Sequence, residues 1–293
     1  MAKYGKLFGL LTIAALVVSV LALAGCTTPA PTTSTTTTAT TTPAPAGIMS
    51  TDDLKSGDRV GVQSGTTGEK WVKDNLVPKG IVSVPFDDVL AAFQALQAGD
   101  VKAVVNDMPI SLDVAKDPAR GLAVVQEIPT NEAYGFAFNK KNTALRDAVD
   151  WGLAQVIASG EYNTIYKTWF GAEPASLPTL TSNAAKPASA PKTLTAGKIV
   201  VGSDTAFPPF ENVVNGKTEG FDVDLVAAIG KQIGLATEFK SFKFDALITG
   251  LQTGSEFDMV ASGMTITAER AKQINFSDPY INSNQSLTVK KAQ

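Results

Sequence analysis

Three short runs carry the residues best suited to chemistry. Gly202-Ser203-Asp204-Thr205-Ala206-Phe207-Pro208-Pro209-Phe210 sets one carboxylate beside aromatic rings and two prolines, a rigid platform with a single charge. Ser262-Gly263-Met264-Thr265-Ile266-Thr267-Ala268-Glu269-Arg270 sets a glycine and hydroxyls ahead of an arginine. At that spacing backbone N–H groups and Thr265 can donate to a carboxylate, and Arg270 can grip both of its oxygens. The plainer reading of Arg270 is a residue on a surface helix. The third run ends in Asn106-Asp107. Asp107 can meet an ammonium, or it can cap a helix begun by Pro109, and the two roles are compatible. A carboxylate site on one side and an ammonium site on the other is the recognition problem posed by an α-amino acid.

Composition removes competing chemistries. The chain has 293 residues, no histidine and one cysteine, Cys26. Ser-His-Asp and Cys-His catalysis are therefore excluded, as are imidazole metal sites, thiolate clusters and an intramolecular disulfide. Net charge is −3 without a run of Lys or Arg, so no basic face for nucleic acid is expected. No metal and no cofactor are called for.

The runs need elements to position them. Strands are expected at 59–63, 81–84, 103–105, 122–126 and 134–138, and helices at 69–76, 87–98, 144–159 and 162–169. Val89, Leu90, Phe93 and Leu96 share one face of the second helix, and Gly99 suits its C-terminal cap. A second block repeats the plan, with strands at 198–201, 237–240 and 259–261 and helices at 221–233 and 244–252. Alternating strands and helices imply an α/β protein with parallel sheets covered on both faces. Phe86-Asp87 leads through Leu96-Gln97-Ala98-Gly99 to a strand closing on Asn106-Asp107. Phe244-Asp245 leads through Leu251-Gln252-Thr253-Gly254 to a strand closing on Ser262-Gly263. Two similar lobes would bring both polar strand ends to one cleft.

The remaining segments set the chain's address and layout. Lys3 and Lys6 precede an apolar run that ends in Leu23-Ala24-Gly25-Cys26, the order of an export signal; its last four residues resemble the lipobox of exported lipoproteins, and a plain transmembrane anchor is the alternative. Residues 27–47 are mostly threonine, proline and alanine, a stalk that cannot bury a core. Residues 172–193 hold Pro174, Pro178, Pro187 and Pro191 among small polar residues and read as a linker between the two blocks. The expected location is outside the cytoplasm, anchored at the outer face of the membrane through lipidated Cys26.

The sequence resembles the polar amino-acid family of extracytoplasmic solute-binding proteins that serve ABC importers. The matching runs are 201–211, Gly220-Phe221-Asp222-Val223-Asp224-Leu225, Ser262 to Thr267 with Glu269-Arg270, Phe276-Ser277-Asp278-Pro279-Tyr280, Val60-Gly61-Val62-Gln63-Ser64-Gly65-Thr66-Thr67, and Gly160-Glu161-Tyr162-Asn163 with Trp169-Phe170-Gly171. Together they span 48–171 and 194–291. The resemblance implies the two-lobed type II periplasmic-binding-protein fold, with its segments in circularly permuted order. The small lobe would be 48–132 and the C-terminal strand 285–293. The large lobe would be 194–284 with the hinge strand and helices of 133–171. It also implies roles. Arg270, Thr265, Ser262 and Gly263 would hold the ligand carboxylate, with Thr67 added on closure, and Asp107 would take the ammonium. Phe207 and Phe244 would sandwich the aliphatic part, unless they serve core packing. Asp204, Gln63 and Asn106 would face the ligand side chain. Glutamine and the basic amino acids both fit, with a lean to glutamine. The partners implied are the importer's membrane subunits, and the state a monomer, with a swapped dimer as the alternative. Two other functions use the same fold: a ligand sensor for a membrane receptor, and a prephenate-type dehydratase, whose two-carboxylate substrate Asp107 would repel.

Overall fold

A computed structural model describes residues 47–291. Cys26 and the stalk up to residue 46 lie outside the described residues. Among the described residues no helix is long and apolar enough to cross a membrane. Nor does any cluster of three or more His, Cys, Asp or Glu side chains among them suit a metal ion.

The first block builds β1 (Arg59–Gln63), α1 (Thr67–Asn75), β2 (Val82–Phe86), α2 (Val89–Ala98), β3 (Ala103–Asp107) and α3 (Met108–Lys116). It continues through β4 (Leu122–Phe138), α4 (Thr143–Ala158) and α5 (Glu161–Phe170). The second block builds β5 (Lys198–Ser203), β6 (Ala206–Phe207), β7 (Glu211–Val214), β8 (Lys217–Glu219), α6 (Phe221–Ile233) and β9 (Ala236–Ser241). It ends with α7 (Phe244–Thr253), β10 (Met259–Val260), α8 (Ala268–Gln273) and β11 (Asn275–Lys290). Local chemistry sets the boundaries of α2, which ends where expected but begins at Val89, two residues after the expected start. The Asp88 side chain accepts from Ala91 N–H, Val89, Phe93 and Leu96 are buried, and Gly99 closes the helix at φ 91°.

Eight strands form one sheet in the order β2-β1-β3-β11-β4-β10-β5-β9. β1 pairs in parallel with β2 and β3, and β5 pairs in parallel with β10 and β9. The expected parallel sheets are therefore present as two parallel triplets. Between them lie two long strands, β4 and β11, antiparallel to each other and to their outer neighbours. The sheet as a whole is mixed. The strands expected separately at 122–126 and 134–138 are one strand, because β11 pairs with that stretch from Leu122 to Phe138 and local register shifts absorb the irregularity. The C-terminal strand expected from 285 begins at Asn275. Its first half pairs with β4, and residues 285–289 also pair with β3. α3, α8 and the small antiparallel sheet β6-β7-β8 carry too few periodic apolar residues to be legible in advance.

The core has three clusters. The largest runs from Val89 and Phe93 through Tyr134, Phe136 and Tyr280 to Phe210, Phe221 and Leu225. A second packs Val60, Val72 and Leu287 in the first half, and a third packs Leu247, Phe257 and Met264 in the second.

Residues 172–193 form no helix or strand. They are nonetheless fastened to the second half. Leu180 packs on the core, and Thr181 and Ser182 each give the Asp278 carboxylate an amide and a hydroxyl, at 2.6–3.0 Å. Burial opposes ionisation of Asp278, yet these donors hold its carboxyl below the usual range.

Candidate functional site

Both strand ends named by the sequence repeat arrive at one small cavity between the sheet halves. It is lined by Gln63, Thr66, Thr67, Asp107, Phe207, Phe244, Gly263, Thr265 and Arg270, whose side chains leave about 10 Å³. All but Thr66 are expected site residues. Asp204, Ser262 and Asn106 sit one layer back. Asp204 accepts from Gln63 Nε2 at 2.5 Å, and Ser262 Oγ accepts from Asp204 N–H at 2.9 Å. Asn106 is buried and turns its amide toward the Asp107 carbonyl.

Arg270 is not a surface helix residue. It lies on α8 but is only 8% exposed. Its Nη1 donates to the Thr265 carbonyl at 2.9 Å and its Nη2 to the Gly65 carbonyl, across the cavity, at 3.0 Å. The guanidinium sits 5.3 Å from the centre of the Phe244 ring. No carboxylate oxygen among the described residues lies within the 4.0 Å of an ion pair with it. Burial lowers its pKa, while Asp107 and Glu132 oppose the loss of charge.

Asp107 occupies the N-cap position of α3, yet its side chain makes no capping bond. It faces the cavity, where it accepts from Tyr134 Oη and from Gln285 Nε2. Burial, followed by the charge of Glu132, pushes its pKa up to about 7 against those donors. Asp204 is also raised, chiefly by burial.

Behind Ser262 and Gly263 lies a buried acid pair. Ser262 Oγ donates to Glu211 at 2.7 Å, and Asp222 Oδ2 accepts from Tyr280 Oη at 2.8 Å and from Gly263 N–H at 3.2 Å. Burial raises both carboxyls, and their mutual proximity raises Glu211 further. The Gly263 amide is therefore committed to Asp222 rather than open to a ligand carboxylate. Gly263 has φ +51°, and a Cβ there would meet Phe207 Cε1 at 2.7 Å, so the residue admits the ring to the cavity wall.

Three polar residues of the site were not read from the sequence. Glu132 and Tyr134 lie on β4, and Gln285 lies on β11. Their signal is faint: buried polar residues inside strands, meaningful only once the two strands are known to pass between the halves.

The sequence matches the family described as "Bacterial extracellular solute-binding proteins, family 3" over residues 73–172 and 199–293. The chain belongs to this family. Its α/β fold is the type II fold of these proteins. Among curated relatives, the arginine-binding extracellular protein ArtP of Bacillus subtilis is 39% identical over 32% of this chain and 36% of its own length. The ABC transporter glutamine-binding protein GlnH of the same organism is 40% identical over 32% of this chain and 36% of its own length. The chain spans between 36% and 50% of the length of the curated relatives it matches. These relatives are named as binding proteins. A solved structure of an ancestral cyclohexadienyl dehydratase is 35% identical over 29% of this chain and 35% of its own, with a TM-score of 0.28.

Proposed function

We propose that this chain is a receptor, tethered outside the cell by lipidated Cys26, that closes on a polar L-amino acid and presents it to an ABC importer. The observation that carries this is the pairing across the cavity of a buried arginine and a buried aspartate that have, among the described residues, no carboxylate partner and no ammonium partner respectively. Arg270 with Thr265 would take the ligand carboxylate, and Asp107 the ammonium, while Phe207 and Phe244 flank the stem. The ligand stabilises the closed arrangement because only there are both sets of contacts made. No bond is broken, so the reading is of a binding protein and not of an enzyme.

The charge balance favours a basic ligand. Asp107, Glu132 and Asp204 lie in or beside the cleft, against the cation of Arg270 and the charge of Lys243 that acts on Asp204. A ligand with a second positive charge offsets that excess; glutamine, toward which the sequence reading leans, does not. Arginine or lysine is thus the favoured cargo.

We also infer that the segments stand in circularly permuted order. Residues 47–49 and 289–291 line one common surface cavity, so the two ends of the folded unit are neighbours and a short loop can join them. The strap at 172–193 then bridges what would otherwise be the ends.

The deciding experiment is calorimetric titration of the chain, refolded to strip bound ligand, with the common L-amino acids. One-to-one binding of arginine or lysine, lost in Arg270→Ala and in Asp107→Ala, is the expected result. A protein that melts cooperatively and binds none of them overturns the reading.

A further inference from the structure

The donors expected to hold a ligand's carboxylate already hold one that belongs to the chain. Thr67 Oγ1 donates to Glu132 Oε2 at 2.8 Å, and Thr265 Oγ1 donates to the same oxygen at 2.6 Å. The other oxygen, Oε1, accepts from Gln285 Nε2 at 3.0 Å. Thr67 begins α1 in one half of the molecule, and Thr265 follows β10 in the other. Glu132 therefore receives one donor from each half, as a bound carboxylate would.

The stoichiometry of protons makes this consequential. A hydroxyl has one hydrogen to give. The two threonine oxygens are only 3.4 Å apart, with both hydrogens committed to one carboxylate oxygen. A second carboxylate can receive them only if Glu132 lets go. Glu132 also has a second environment. It lines a larger cavity of about 710 Å³ whose wall also carries Lys116, paired with Asp113 at 3.2 Å, and Asn284, whose amide donates to Glu127 at 2.6 Å, so that a carboxylate turning there would share these donors. It sits on β4 opposite Ser283 of β11, where the two long strands pass from one half of the sheet to the other.

We propose that Glu132 is a built-in competitor for the ligand's carboxylate. It bridges Thr67 and Thr265 until an amino acid enters, then yields both hydroxyls and turns toward the second cavity. Binding is thus an exchange of one carboxylate for another. The exchange sets selectivity: an amine that lacks an α-carboxylate has no need to expel Glu132, whereas an amino acid must. This rests on the amino-acid reading of the cleft.

The test uses L-arginine and its decarboxylated counterpart agmatine, titrated calorimetrically into the full chain and into its Glu132→Ala and Glu132→Gln variants. Removing an acid from a cleft that holds cations would ordinarily weaken both probes. Competition predicts the opposite for one of them. L-arginine binds at least about tenfold tighter to Glu132→Ala than to the parent, while agmatine binds no tighter. The ratio of the two affinities therefore shifts by about tenfold or more toward the amino acid. Glu132→Gln, which keeps the shape and loses the charge, shifts the ratio in the same direction and carries the test should the alanine variant fail to melt cooperatively. Weaker or unchanged L-arginine binding in a folded variant overturns the proposal and makes Glu132 an ammonium partner or a strut, leaving the amino-acid reading intact. If neither parent nor variants bind any common L-amino acid, the amino-acid reading falls, and this proposal with it.

Discussion

The unit from Phe86 through α2 and Gly99 to Asn106 and Asp107, and the unit from Phe244 through α7 and Gly254 to Ser262 and Gly263, have the same order of parts and both deliver their last residues to the cleft. They differ in what they deliver. The first ends in a carboxylate that is buried, spared from capping α3, and raised to about 7. The second ends in a hydroxyl and a bare backbone, with acids of neighbouring elements, Glu211 of β7 and Asp222 of α6, kept one layer behind. One unit offers charge; the other offers room and orientation. Where a strand end must present a charge, its own side chain does so. Where it must let an aromatic ring approach, the residue shrinks to glycine, and neighbouring elements supply the polar support.

The sharpest way to break this contrast is to remove the charge from each side. Arg270→Ala and Asp107→Asn should each weaken binding of L-arginine by about a hundredfold or more. Each deletes hydrogen bonds to a charged group, worth roughly 1.5–3 kcal/mol apiece, and strands its counterpart. Calorimetry reads the loss, and a variant that keeps full affinity would remove that residue from the site. Next comes the crowded glycine. Gly263→Ala places a Cβ 2.7 Å from the Phe207 ring at a positive φ and should cost about 2 kcal/mol, roughly 4–8 °C of melting temperature, and weaken ligand binding as well. Gly99→Ala, in open space at φ +91°, should cost about 1 kcal/mol and leave binding alone. Equal effects at the two positions would erase the distinction.

A third effect depends on pH. Asp107, and Asp150 buried on α4 where it accepts from Asp278 N–H, have pKa values pushed by burial up to about 7 in the folded chain against 3.8 as a reference. The folded state therefore binds more protons than the unfolded one between those values, and stability falls as pH rises through that window. The melting temperature should be higher at pH 5 than at pH 8, and Asp107→Asn should flatten the slope. A melting temperature that climbs over that range would contradict the assignment. The smallest effect is expected at the strap. Asp278→Asn weakens the grip on Thr181 and Ser182 and should lower melting by about 2–4 °C, an exchange of hydrogen bonds worth roughly 1 kcal/mol, without altering ligand affinity.

What the sequence made legible follows the range of the forces involved. Helix faces and caps are local, so α2 and α6 were readable to within a few residues. The repeat placed Asp107 and Gly263 in one cleft because each is tied by short chemistry to its own strand end. Glu132 and Gln285 were not readable, since their partner sets are built by pairing between β4 and β11, more than a hundred residues apart. By composition the strap is a linker, because nothing in it announces that Asp278, far along the chain, collects Thr181 and Ser182. The mixed sheet was missed for a related reason: period-two runs announce strands, but not the direction in which a distant partner will lie beside them.

β11 occupies the middle of the sheet and is the last strand the ribosome makes among those described. At about 5–20 residues per second, roughly 15–60 s of synthesis elapse before it exists. From the completion of β4 until then, roughly 7–30 s at that rate, β3 and β4 present open edges to each other and to neighbouring chains, and Gln285 is absent from the cleft. The nascent chain thus has a long interval in which it is incomplete by construction, and neither half can settle until the final stretch is threaded between them. Any factor that keeps such a chain extended works with its topology, and premature release near residue 274 would yield an unpaired central seam rather than a slightly shortened protein.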